Sequence, residues 1–134
     1  MSSVVKASES PEHKRLVKFL IDHLKKEGFE TTCATHEGYD ECPKIKGRIP
    51  DVKGYNKEQE LVAFGEAKTS DDFDSDRTKE QFRVFSNRVM SSGKSKDKAV
   101  PFHIGITKGS EQQLENCLKE LGLDKKSNIY RASF

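Results

Sequence analysis

The segment RIPDVKGYNKEQELVAFGEAK carries one carboxylate at Asp51, a second at Glu66 and an ammonium at Lys68. Strict alternation along ELVAFGEAK puts Val62, Phe64, Glu66 and Lys68 on one face of a strand and Leu61, Ala63, Gly65 and Ala67 on the other. The first face is therefore apolar at its start and charged at its end. A carboxylate and an ammonium in that position are costly to desolvate unless something compensates them. If RIPDVKGY is also a strand and the two pair through GYNKEQ, Asp51 approaches Glu66. Two carboxylates, the main-chain carbonyl of Ala67 and water then form an oxygen-rich site suited to Mg²⁺, with Mn²⁺ as a substitute. Such an ion lowers the pKa of a bound water and neutralises charge building on a phosphate, and Lys68 can orient that water or share that charge. The competing reading is a surface hairpin with a salt bridge, and the Asp…Glu-x-Lys letters alone divide the two evenly.

The elements that must position these residues are legible in outline. Residues 1–10 read as a polar tail that ends in Ser10, a candidate N-cap, followed by Pro11 at the first helical position. From there PEHKRLVKFLIDHLKKEG predicts an amphipathic helix with Leu16, Phe19, Leu20, His23 and Leu24 on its apolar stripe and Gly28 as its stop. Residues 29–35 suit a strand. The acidic loop SDDFDSD leads into a second helix over about Arg77 to Ser91, with Phe82, Phe85 and Val89 on its stripe. VPFHIGIT predicts a buried strand, EQQLENCLKELG a third helix and NIYRASF an edge strand. The order α-β-β-β-α-β, then α-β, predicts an α/β fold with a mixed central sheet between helices, in a single domain over residues 11–134.

The totals agree with one domain. At 134 residues, with 33% hydrophobic and 34% charged residues, the chain is polar but long enough for a real core. A net charge of +2 neither demands nor excludes nucleic acid. No run approaches the length of a bilayer span, and the N-terminus lacks the apolar region of a signal peptide. Three cysteines, an odd number at irregular spacing, argue against a disulfide framework and for a cytoplasmic protein with no membrane partner.

The residues Pro50-Asp51 followed by Glu66-Ala67-Lys68, set in α-β-β-β-α-β order over roughly residues 11–107, resemble the PD-(D/E)xK nuclease superfamily, which includes restriction-endonuclease-like and Holliday-junction-resolvase-like enzymes. That resemblance implies the restriction-endonuclease-like core, metal coordination by Asp51 and Glu66, and service of the water and scissile phosphate by Lys68. Two further positions match. Glu12 occupies the place of the first-helix glutamate that completes the metal site in many members. Gln81 in KEQFRVFSN matches a glutamine carried by several branches, while Phe85 replaces the tyrosine that often follows it. The resemblance implies a Mg²⁺-dependent hydrolase of DNA phosphodiesters in repair, recombination or restriction, with RNA left open. It leaves two alternatives: a catalytically silent nucleic-acid-binding or scaffolding module of the same fold, and a subunit that takes specificity from a homodimer or a partner protein.

Arg48, Lys53, Arg77, Arg83 and Arg88 are the candidate nucleic-acid contacts, and their binding should weaken steeply with salt. Other chemistry is less well served. Asp72, Asp74 and Asp76 mimic the start of a calcium loop, but Arg77 and Arg83 stand where its glycine and its bidentate glutamate belong. Cys33, His36 and Cys42 lack a tidy fourth zinc ligand. His13, His23 and His103 read as core-edge or surface histidines, with His103 the most buried of them.

Overall fold

The computed structural model describes residues 10–134. The expected tail therefore lies outside the described residues except for Ser10, which belongs to the domain: its Oγ accepts the His13 N–H at 3.1 Å and starts helix α1 (Pro11–Lys26). Beyond the C-cap Glu27, Gly28 takes φ +94°, the left-handed conformation that ends a helix at little cost to a residue without Cβ. The buried stripe is Leu16, Val17, Leu20, Ile21 and Leu24. Phe19, expected on that stripe, is 37% exposed. The stripe is centred on Val17, Leu20, Ile21 and Leu24, and Phe19 falls at its margin, stacking on Phe134 with ring centroids 5.3 Å apart.

Five strands follow: β1 (Glu30–Ala34), β2 (Val52–Asn56), β3 (Leu61–Lys68), β4 (Phe102–Ile106) and β5 (Ile129–Ser133). They lie side by side in chain order, β1, β2 and β3 antiparallel and β3, β4 and β5 parallel, which makes the sheet mixed as expected. The parallel pairs require crossovers. These are supplied by helix α2 (Asp76–Ser86) between β3 and β4 and helix α3 (Glu111–Leu121) between β4 and β5.

Alternation sorts the core into two layers. Leu61, Ala63 and Ala67 of β3 pack with Val52 against α1. Phe64 packs with Phe102, Ile104 and Ile106 of β4, Phe82 and Phe85 of α2, and Leu114 and Leu118 of α3. Gly105 of β4 lets α1 come close, since a Cβ there would lie 2.8 Å from Leu20 Cγ. The protein is thus an α/β fold with a five-stranded mixed sheet between one helix and two.

Three expectations need correction. Helix α2 stops at Ser86, not near Ser91, because the Asn87 side chain donates to the Arg83 carbonyl at 2.8 Å and the chain turns to pair Val89 with Ala99. Val89 is consequently 49% exposed instead of lying on a helical stripe. Asp51 lies just before β2, which begins at Val52, and not within the strand expected over RIPDVKGY. Finally, Cys33 and Cys42 form a disulfide and only Cys117 is free, so the odd count concealed a local bridge. That bridge takes both sulfurs out of any zinc site, and cysteine number carries no argument about compartment. No described helix is long and apolar enough to cross a membrane.

Candidate active site

The hairpin register builds the site. Val52 of β2 faces Gly65 of β3, so the next position outward opposes Asp51 to Glu66. The Asp51 N–H donates to Glu66 Oε1 at 3.2 Å, and the Ala67 N–H donates to Asp51 Oδ2 at 2.9 Å. Each carboxylate is thereby held by the backbone of the other strand. The N–H and C=O of a strand residue leave from the same edge, so the Ala67 carbonyl also faces the Asp51 side.

Lys68 completes the charged end of β3. Its Nζ lies 3.4 Å from Glu66 Oε2 and donates to Gln81 Oε1 at 2.6 Å. Gln81 belongs to α2, two turns from the helix start at Ser75 and on the buried face with Thr78, Phe82 and Phe85. Asp51, Glu66, Lys68 and Gln81 are therefore brought together, as the sequence leads one to expect. All four are buried, Glu66 to 2% exposure, yet they line a cleft of about 370 Å³ together with His13, Asp72 and Arg77.

On α1 the arrangement differs from expectation. The Glu12 carboxylate accepts from the Thr107 hydroxyl at 2.7 Å, just past the end of β4, and Glu12 is not among the cleft residues. The first-turn residue that reaches the site is His13, whose Nε2 lies 3.2 Å from Asp51 Oδ2. A signal for His13 was present in the sequence: it lies three and four residues before Leu16 and Val17, on the same helix face as the apolar stripe.

The electrostatics follow from these contacts. Burial, reinforced by the negative charge of Asp51, pushes the Glu66 carboxyl up to about 8 against the opposing pull of Lys68. Burial also opposes ionisation of Asp51, but the hydrogen bond and charge of His13, with the Ala67 amide, overcome it and hold Asp51 below its ordinary value. His13 shifts upward: burial works against its charged form, and the hydrogen bond and charge of Asp51 outweigh it. The two carboxylates are thus driven apart, one ionised and one protonated at neutral pH. A cation between them would remove that conflict, so the donor set fits Mg²⁺ or Mn²⁺ held by Asp51, Glu66 and the Ala67 carbonyl. Among the described residues no three His, Cys, Asp or Glu side chains converge as a metal-binding group. A cation here would accordingly be completed by main chain and water, as suits Mg²⁺.

The candidate basic contacts separate. Arg77 lines the cleft itself. Arg48 and Arg83 line a polar groove along α2, and Lys53 and Arg88 line a third hollow on the same side of the sheet. Comparison with protein-family models, with curated proteins and with solved structures finds no match, so the functional reading stands on this geometry.

Proposed function

We propose that this protein is a metal-dependent nuclease that hydrolyses DNA phosphodiester bonds, built on the restriction-endonuclease-like core that its Pro50-Asp51 and Glu66-Ala67-Lys68 motif resembles. The observation that carries the reading is the burial of two facing carboxylates, Asp51 and Glu66, beside Lys68 in an open cleft. His13 faces Asp51 and Lys68 faces Glu66, yet burial beside Asp51 still drives Glu66 toward its protonated form, a conflict that a further cation between the two carboxylates would relieve.

When bound, Mg²⁺ supplies an activated water and a counter-charge for the phosphate. The chain's own groups do the rest. Asp51 is kept ionised and oriented by His13 and the Ala67 amide. Lys68, fixed by Gln81, offers its ammonium to the attacking water or to charge developing on the phosphate. Arg77 at the cleft wall is placed to hold a neighbouring phosphate.

The test is incubation of branched, single-stranded and duplex DNA with the protein and Mg²⁺ or Mn²⁺. Cleavage should require metal, stop with chelator and be lost in Asp51→Asn and Glu66→Gln. Absence of cleavage with either metal, or full activity in Glu66→Gln, refutes the reading.

A further inference from the structure

Away from the cleft, β2 and β3 carry the hollow lined by Lys53 and Arg88, on the same sheet face. Lys53 and Tyr55 alternate along β2 in step with Asp51 just before it, and the register sets Lys53 against Phe64 and Tyr55 against Val62 on β3. The hollow of about 340 Å³ is lined by Lys53, Tyr55 and Val62 from the sheet and by Arg88 and Val89 from the segment after α2. Val62 in its wall is four residues along β3 from Glu66, or about 13 Å at the usual strand rise.

The chemistry of this hollow is mixed. Val62, Val89 and the Tyr55 ring give it apolar walls, and Tyr55 has no aromatic partner among the described residues. Lys53 and Arg88 form no ion pair among the described residues, whereas the acid in the lining, Glu60, already accepts the Lys94 N–H with its Oε1. A phosphate alone would leave the apolar walls wet, and an apolar ligand would leave two cations unmatched. A planar ring attached to an anionic chain answers both.

We propose that this hollow receives an unpaired base of a nucleic-acid strand, stacked on Tyr55, with the adjoining phosphates on Lys53 and Arg88. The proposal rests on the nuclease reading for its relevance and deepens it by naming the substrate class. A base held in duplex cannot enter a side pocket without unstacking. The preferred substrate therefore contains a single-stranded stretch within reach of the cleft. A volume of this size lies at the small end of ligand pockets and suits one nucleoside rather than a duplex.

The experiment is fluorescence anisotropy of the full chain with a labelled short oligonucleotide in chelator, where nothing is cut. Single-stranded DNA, single-stranded RNA and duplex DNA of equal length are compared, together with single strands carrying one abasic position. Single strands should bind at least about tenfold more tightly than duplex. Tyr55→Ala should lose roughly tenfold for single strands and nothing for duplex, with Tyr55→Phe restoring the loss, as stacking requires. Arg88→Ala, at an exposed position that leaves the core alone, should weaken single-strand binding as well, and an abasic position should do the same at one register. Equal affinity for duplex and single strand, or single-strand binding unchanged in Arg88→Ala, overturns the proposal. The two readings fail separately: loss of metal-dependent cleavage in Asp51→Asn tests the nuclease reading, whereas the ratio of single-strand to duplex affinity in chelator, and its change in Tyr55→Ala and Arg88→Ala, tests this one with no cleavage involved. Preference for RNA over DNA among the single strands supports the pocket and moves the substrate to RNA.

Discussion

Glu66→Gln should make the metal-free protein more stable at alkaline pH while abolishing its response to Mg²⁺. The substitution keeps an oxygen to accept the Asp51 N–H and keeps the side-chain shape, but removes the charge. Raising a buried carboxyl from its ordinary 4.5 to about 8 disfavours the folded, ionised protein by about 5 kcal/mol, at about 1.4 kcal/mol for each pH unit between the two values. Because the folded value is raised, the contribution of Glu66 is fully present below about pH 4.5 and is lost as pH rises through about 8. Urea unfolding in chelator at pH 5, 7 and 9 should therefore show wild type losing stability over this range, by at least about 2 kcal/mol once partial relaxation around the charge is counted. The variant should lose clearly less over the same range, keeping only the slope of groups such as His13, whose raised value also gives stability that is lost as pH rises. Added Mg²⁺ should restore wild type at pH 9 far more than at pH 5, since proton and cation compete for one carboxylate. Glu66→Gln should show no restoration. An equal pH slope in the variant and wild type would sink the argument that Glu66 is the protonated member of the pair.

Other consequences can be checked at less depth. Under the proposed nuclease reading Lys68→Ala should lower the cleavage rate by about a hundredfold or more with a smaller change in KM, since an ammonium there would act on charge present only in the transition state. His13→Gln should weaken Mg²⁺-induced stabilisation measured by thermal melting, whereas Glu12→Gln, at a carboxylate that among the described residues accepts only from Thr107 and lies outside the cleft, should leave that response intact. Gly105→Ala should cost about 1–3 kcal/mol in urea unfolding, the penalty of overpacking against Leu20. Burial pushes His103 down to about 4. Its contribution to stability is accordingly complete above about pH 6.5 and lost as pH falls through about 4, and His103→Phe should flatten unfolding free energy over that window.

Much of the site was legible because it depends on short-range rules. A period of two along ELVAFGEAK fixes which side chains share a face, and a tight connection at residues 57–60 fixes the antiparallel register that opposes Asp51 to Glu66. Gln81 came from the family resemblance, and its meeting with Lys68 depends on α2 laying its buried face over the same half of the sheet as Phe64. Glu12 and His13 mark the limit. Adjacent residues on a helix point about 100° apart, so which of them reaches the cleft depends on how α1 is rotated on the sheet, and that rotation is set by packing of Leu20 against Gly105 and its neighbours. The end of α2 escaped for a related reason: Val89 suits a helix locally, but antiparallel pairing with Ala99, ten residues further along the chain, claims that segment.

By itself the sequence determined the order of elements, the face on which Glu66 and Lys68 lie and the identity of the carboxylate pair. These follow from periodicity and turn residues, which act over a few positions. Tertiary structure alone decided that His13 and not Glu12 meets Asp51, that Cys33 bridges Cys42, and that Lys53, Tyr55 and Arg88 share one hollow. Each of these is a meeting of segments distant in sequence or a choice among neighbours on one helix, and only the packing of the whole sheet and its helices fixes the distances and angles concerned.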